Sequence, residues 1–124
     1  GPSGVSGPSG YSGPSVYTIN AQTGTTFQPA LDDAYEGGRQ LTTLDNVSPI
    51  LVTLPLEATV GFIATYGNPS LNFVQKGTGK VTFVAELGGS IVPAATPSIA
   101  SQDGAVTAIP VGGNVWRLIG LLSA

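Results

Sequence analysis

The chain contains no cysteine, no histidine and no methionine in its 124 residues. Without histidine or cysteine, a single chain cannot form the Ser-His-Asp or Cys-His arrangements that activate a nucleophile. Zinc and most transition metals also lose their usual nitrogen and sulfur ligands. The absence of cysteine excludes disulfides and thiol redox chemistry. We therefore expect neither a metal nor a cofactor.

Charged residues are scarce. They make up 9% of the chain, against roughly 25% in average soluble domains. The cations are Arg39, Lys76, Lys80 and Arg117. They are too few for the basic patch that a nucleic-acid complex requires, so we expect no nucleic-acid partner. No apolar run approaches the roughly 18 residues of a membrane helix, and we expect no membrane insertion. The low charge instead favours burial against further copies of the chain.

The carboxylates form no recognisable catalytic pattern. Two Asp or Glu residues suffice for glycoside hydrolysis in principle, but no such pair stands out here. We therefore expect the protein not to be an enzyme. The seven acids are Asp32, Asp33, Glu36, Asp45, Glu57, Glu86 and Asp103.

One stretch, PALDDAYEGG at residues 29–38, has apolar residues at the spacing i, i+3 and i+4. Pro29 suits a helix start, and the two glycines suit its end. The pattern predicts a short helix of two turns. The acids Asp32, Asp33 and Glu36 lack the spaced oxygen ligands and the glycine of a calcium loop. We interpret them as the solvated face of this helix.

The first fifteen residues read GPSGVSGPSGYSGPS, with glycine at every third position: Gly1, Gly4, Gly7, Gly10 and Gly13. In a collagen triple helix, three polyproline-II chains share an axis so crowded that only glycine fits every third position. Proline before serine in alternate triplets pre-sets φ for this conformation. The repeat predicts a collagen-like stalk over residues 1–15 in a parallel homotrimer. A flexible Gly/Ser/Pro linker is the alternative. Because the chain starts inside the repeat, we expect further triplets upstream.

Five triplets should not hold alone, since ordering costs about 1–2 kcal/mol per residue. Residues 16–124 are therefore expected to form a trimeric head that keeps three chains at high local concentration. Short apolar runs broken by turn residues predict an all-β head: a β-sandwich or jelly roll, or a β-prism. KGTG at 76–79 is predicted to be a tight hairpin turn. The predicted strands cover residues 16–19, 39–44, 49–55, 60–66, 71–75, 80–86, 90–92, 97–100, 105–109 and 114–122.

Three aromatic residues are candidate glycan contacts, because aromatic rings can stack on sugars: Tyr35, Tyr66 and Trp116. The alternative for Trp116, which lies in an alternating strand near the C-terminus, is that it fills the core or a trimer interface.

Several segments together resemble parts of tailed-bacteriophage proteins. The opening triplets resemble the Gly-X-Ser triplets of phage fibre and structural proteins. LDDAYEGGRQLTT at 31–43 resembles a segment that opens small trimeric domains in such proteins, and DNVSPILVTLP at 45–55 resembles a strand ending in Leu-Pro. Residues 60–85 and NVWRLIGLL at 114–122 are similar to a common fibre ending.

This resemblance implies a homotrimeric appendage on the virion surface, either a tail or head fibre or a capsid-decoration protein. Its expected partners are further copies of itself, other virion proteins, and a host-surface glycan or receptor. The alternative is a collagen-like adhesin of a bacterial cell or spore surface, with a trimeric jelly-roll head.

Overall fold

The structure, a computed structural model, describes residues 16–123. The predicted stalk at residues 1–15 lies outside the described residues. Within them, the one α-helix is α1 (Phe62–Tyr66), and no helix there has the length and hydropathy needed to cross a membrane. The strands are β1 (Thr18–Gln22), β2 (Thr26–Phe27), β3 (Arg39–Leu44), β4 (Ile50–Leu54), β5 (Leu71–Gln75), β6 (Val81–Ala85), β7 (Ser90–Val92), β8 (Ser98–Ile99), β9 (Ala105–Gly112), β10 (Val115–Gly120) and β11 (Leu122–Ser123).

The strands form two sheets, and the first six strands alternate between them along the chain. The first sheet has six strands in the order β1-β3-β5-β9-β10-β7, and the second has five in the order β11-β8-β6-β4-β2. Strands β1, β3 and β5 are parallel, as are β2, β4 and β6. This half of the molecule is therefore a short two-sheet coil, in which each turn contributes one strand to each sheet.

The remaining strands close the coil with mostly antiparallel pairing. β9 pairs antiparallel with both β5 and β10 in the first sheet, and β8 pairs antiparallel with β6 in the second. β9 and β10 are joined through Gly113 and Asn114, both at positive φ, as the type I′ turn of a two-residue hairpin requires. The parallel pairs distinguish this arrangement from an antiparallel jelly roll.

The core lies between the two sheets, and alternation along the strands builds it. In β5, buried Leu71, Phe73 and Gln75 alternate with half-buried residues. Phe73 of the first sheet meets Phe83 of the second edge to face, with ring centroids 5.3 Å apart. Successive strand residues point to opposite faces, so every second side chain is buried between the sheets.

The all-β prediction is confirmed, since two sheets and one short helix make up the described residues. Three strands have the predicted limits: 39–44, 71–75 and 90–92. The strand predicted at 16–19 lies instead at 18–22, and the short strand β2 was not predicted.

The strand prediction for residues 60–66 is wrong, because α1 occupies most of this segment. The Glu57 side chain explains the helix: its two carboxylate oxygens accept the backbone N–H groups of Ile63 and Ala64, at 3.0 and 2.9 Å. These are N-terminal donors that have no partner within a helix. A carboxylate near this end also suits the helix dipole.

The hairpin predicted at 76–79 is wrong as well. The turn joins β5 in one sheet to β6 in the other, so it is a corner of the coil. Gly77 and Gly79 are needed there because the turn lies directly on the backbone of the preceding corner. A Cβ on Gly77 would lie 2.6 Å from Asn46 N, and one on Gly79 would overlap the carbonyl oxygen of Ser48.

The helix predicted at 29–38 is replaced by two 3-10 turns, Leu31–Asp33 and Tyr35–Gly37. Ala34 between them is extended, with φ −74° and ψ 152°. The N–H of Tyr35 bonds across the molecule to the carbonyl of Ser70 at 2.8 Å. This tertiary hydrogen bond replaces the local bond that would have continued the helix.

Candidate functional site

The first described residues form an exposed apolar segment at the sheet edge. β1 is the terminal strand of the six-stranded sheet and starts three residues after the last Gly-X-Y triplet. Val16 is 66% exposed and Ile19 is 57% exposed. Apolar side chains left in water at a strand edge mark a surface suited to a partner.

A polar network holds β1 firmly to the body of the head. The buried carboxylate of Asp33 accepts the Nδ2–H of Asn20 and the backbone N–H of Ala30, both at 2.8 Å. Arg39 donates to the hydroxyl of Thr18 at 2.7 Å, and its Nε lies 3.7 Å from Asp33 Oδ1. β1 is therefore an anchored edge strand.

This network overturns part of the interpretation of the acidic cluster. Asp33 was predicted to lie on a solvated face, but only 6% of it is exposed. Glu36 accepts the backbone N–H of Ser70 at 3.0 Å, while the side chain of Asp32 is 67% exposed. The aspartates differ because the 3-10 turn directs Asp33 back towards its own start.

Two tyrosines stack beside the start of β1. The rings of Tyr17 and Tyr35 lie 4.5 Å apart at an interplanar angle of 14°. Each residue is about two-fifths exposed, at 41% and 42%. The hydroxyl of Tyr66 lies over Gly37 in the second 3-10 turn, 2.8 Å from where a Cβ would stand. Two of the three predicted glycan contacts, Tyr35 and Tyr66, therefore lie near the same turn.

Trp116 lies elsewhere, in the core. It is 3% exposed, its Nε1–H donates to the carbonyl of Pro55 at 3.0 Å, and its ring meets Phe62 edge to face. An apolar cavity of about 350 Å³ opens beside it, lined in part by Ile63 and Pro110. Neither tyrosine belongs to this lining among the described residues. Glycan contact by these aromatic residues stays a prediction.

The side of the six-stranded sheet turned away from the core is largely apolar. We call it the outer face. The strand registers place its residues opposite one another: Ile19 faces Leu41, Thr43 faces Val74, and Ile119 faces Thr107. Its members are Ile19, Ala21, Leu41, Thr43, Asn72, Val74, Ala105, Thr107, Ile109, Arg117 and Ile119.

This face was not predicted from the sequence. The signal was present in β3, whose residues 41–44 read Leu-Thr-Thr-Leu and so place apolar or threonine side chains on both sides of the strand. A strand that is apolar on both faces is usually covered on both. Within residues 16–123, only the face of β3 that carries Leu44 meets the core.

The carboxylates mostly hold loops in place. Glu86 accepts the backbone N–H of Leu56 at 2.9 Å and the hydroxyl of Thr59 at 3.0 Å, and Glu57 caps α1. Residues 16–123 contain no group of three or more acidic side chains placed to hold a metal ion.

Comparisons of the chain with protein-family models, with curated proteins and with solved structures found no match.

Proposed function

We propose that the chain is a non-enzymatic structural protein of a phage virion. It is a homotrimeric fibre or capsid-decoration protein, whose β-rich head trimerises and keeps a collagen-like stalk in register. The stalk is residues 1–15 and the head is residues 16–124. The head is a trimeric β-sandwich or β-prism on the virion surface. Its partners are two further copies of itself, other virion proteins and a host-surface glycan or receptor.

The observation that carries the proposal is the position of the five Gly-X-Ser triplets. They end at Ser15, and the anchored edge strand β1 begins at Thr18. A triple helix needs three chains in register, and a short one needs a domain that keeps them together. A folded head attached by only two intervening residues supplies that restraint.

The distribution of charge supports assembly. Of the charged residues in 16–123, only Arg39 and Arg117 lie within strands, and the others lie in turns, loops and the 3-10 segments. Strand faces without charge can be buried against other copies at little desolvation cost. The virion location is supported by the order of the segments that resemble phage proteins, from the triplets to the C-terminal Trp-containing strand.

Immunogold electron microscopy with antibodies against the head tests the location. The proposal predicts label on appendages or on the shell of purified phage particles. Label confined to the surface of cells or spores, in cultures without particles, contradicts the virion location and favours the adhesin alternative.

Two solution assays test the remaining parts of the proposal. Binding of the full chain to a glycan array or to host cells supports an attachment role, and its absence leaves a purely architectural one. Release of reducing ends from host polysaccharide contradicts the non-enzymatic assignment.

A further inference from the structure

We propose that the outer face of the six-stranded sheet is the trimer interface, and that three such faces meet around the axis that continues the stalk. This inference rests on the proposed function, because it takes the triple helix as given. The occupant of the face is a second copy of the chain. The juxtaposition of the last Gly-X-Y triplet with β1 selects this face.

Chain length restricts where β1 can lie. Only Val16 and Tyr17 stand between Ser15 and the first residue of β1, Thr18. Three Cα steps span at most about 11 Å. The three copies of Ser15 share one crowded axis in a triple helix. The three β1 strands therefore start close to that axis and close to one another.

The hydrogen-bond network keeps β1 from leaving its own sheet. Asn20 is bound by the buried Asp33, and Thr18 is bound by both Gly38 and Arg39. β1 thus brings its whole sheet with it to the axis. The surfaces it can offer are its unpaired backbone edge and the outer face, which carries Ile19 and Ala21.

The outer face has the composition of a buried surface. Its large apolar side chains include Leu41 beside Ile19, Val74 on β5 and Ile109 on β9. In the row that crosses the sheet from Ile19 to Ile119, Asn72 and Thr107 are the polar members. Asn72 and Thr107 satisfy each other through a 2.7 Å hydrogen bond. Within the described residues, Arg117 is the one charged member of the face. It lies on β10, four strands from the stalk end.

The five-stranded sheet presents a smaller apolar surface on its own outer side. There Leu51 is 41% exposed, Val84 is half-buried, and most of the remaining positions on β4 and β6 are threonines. The β2 edge of this sheet is also separated from the stalk by the whole of β1. Both composition and connectivity therefore favour the six-stranded sheet as the trimer interface.

The size of the face agrees with a tethered interface. From Ile19 on β1 to Ile119 on β10 there are four strand spacings, about 19 Å, and five residues along a strand span about 17 Å. This footprint of roughly 300 Å² is smaller than the ~800 Å² per partner of a standard interface between untethered proteins. Neither this face nor the five triplets is expected to hold three chains together alone, so we expect the face and the stalk to assemble as one cooperative unit.

Spin-label distances test the geometry directly, because the chain has no cysteine of its own. Distances between copies would be measured in the trimer of the 124-residue chain, with nitroxides on Ala21→Cys and, as the matched control, on Leu51→Cys. The sheets are about 10 Å apart, so moving outward by one sheet lengthens the distance across a three-fold axis by about 17 Å. We expect the distance at residue 51 to exceed that at residue 21 by at least this amount.

A paired substitution tests the energetics. Ile19→Lys would place three ammonium groups around the axis, where leaving the charges unpaired and buried is costly. Leu51→Lys adds the same charge on the opposite sheet. We expect Ile19→Lys to raise the concentration at which half of the trimer dissociates at least tenfold more than Leu51→Lys does. Emission of Trp116 confirms that each variant head is folded.

The outcomes separate this inference from the proposed function. A wild-type chain that sediments as a monomer contradicts both. A wild-type trimer with shorter distances at residue 51 than at residue 21 contradicts only the interface, as does a trimer weakened equally by both lysines. A trimer with equal distances at the two sites places the axis at the β1 backbone edge and also overturns the inference.

Discussion

Replacing Gly79 by alanine perturbs the place where two corners of the coil touch. A Cβ at this position would overlap Ser48 O and would lie 2.6 Å from Asn46 O. Both neighbours are backbone atoms, so a side-chain rotation cannot relieve the overlap. The corner would have to move away from the preceding one. That movement stretches the hydrogen bond from Gly79 N to Asn46 O, which is now 2.7 Å long.

The expected cost follows from these two effects. Overpacking in a well-packed region costs about 1–3 kcal/mol, and losing a backbone hydrogen bond costs about 0.5–1.5 kcal/mol. We expect Gly79→Ala to lower the free energy of unfolding by about 2–4 kcal/mol. For a domain of this size, that corresponds to a fall in melting temperature of about 10 °C or more.

Gly24→Ala is the matched control, because the nearest atom to its added Cβ is Thr26 O at 3.7 Å, an ordinary contact. Removing glycine flexibility from the unfolded chain makes this variant neutral or slightly more stable. Urea unfolding followed by emission of the single tryptophan, Trp116, measures both variants. Protein concentration is held fixed, because association adds to apparent stability. If the free energies of unfolding of the two variants differ by less than about 0.5 kcal/mol, the corners do not touch and the two-sheet coil is wrong.

Three further predictions follow from buried contacts and from the repeat. Asp33→Ala should lower the free energy of unfolding in urea by about 2–3 kcal/mol, because it leaves two N–H donors without their carboxylate. Asp32→Ala should lower it by less than about 1 kcal/mol, and equal losses for the two variants would contradict the network. Trp116→Phe should destabilise the head by about 1–3 kcal/mol in thermal unfolding, since it leaves the buried Pro55 carbonyl without a donor. An unchanged stability would contradict that hydrogen bond. Gly7→Ala should lower the melting temperature of the triple-helical circular dichroism signal while the head stays folded; an unchanged signal argues for a linker.

Short strands bounded by turn residues could be predicted from the sequence. Residues 71–75 lie between the turn residues of 67–70 and the glycines of 76–79, and they form β5 with the predicted limits. The run at 60–66 is apolar without alternation, so strand and helix were equally compatible with it. Glu57, which decides the outcome by capping α1, lies outside the run.

The topology could not be predicted, because local turn chemistry does not reveal which sheet receives the next strand. KGTG at 76–79 has hairpin composition, yet its glycines serve a close approach between corners. The 3-10 turns at 31–37 have a similar origin, since the hydrogen bond from Tyr35 to Ser70 joins residues far apart in sequence. Contacts of this kind depend on the folded backbone.

The candidate site was only partly accessible from the sequence for a related reason. Tyr35 was singled out for its ring, and the structure places that ring on an exposed surface, stacked on Tyr17. Trp116 was given two alternatives, and it lies in the core. The outer face was missed because residues such as Leu41 and Val74 look like core residues until the registers show which side of the sheet they occupy.

The claim on which the account depends is that three copies share one axis. Sedimentation equilibrium of the 124-residue chain at micromolar concentration measures this directly, because mass is obtained without any assumption about shape. The account predicts a single species of three times 12.4 kDa. A species of 12.4 kDa that persists as the concentration is raised would contradict it.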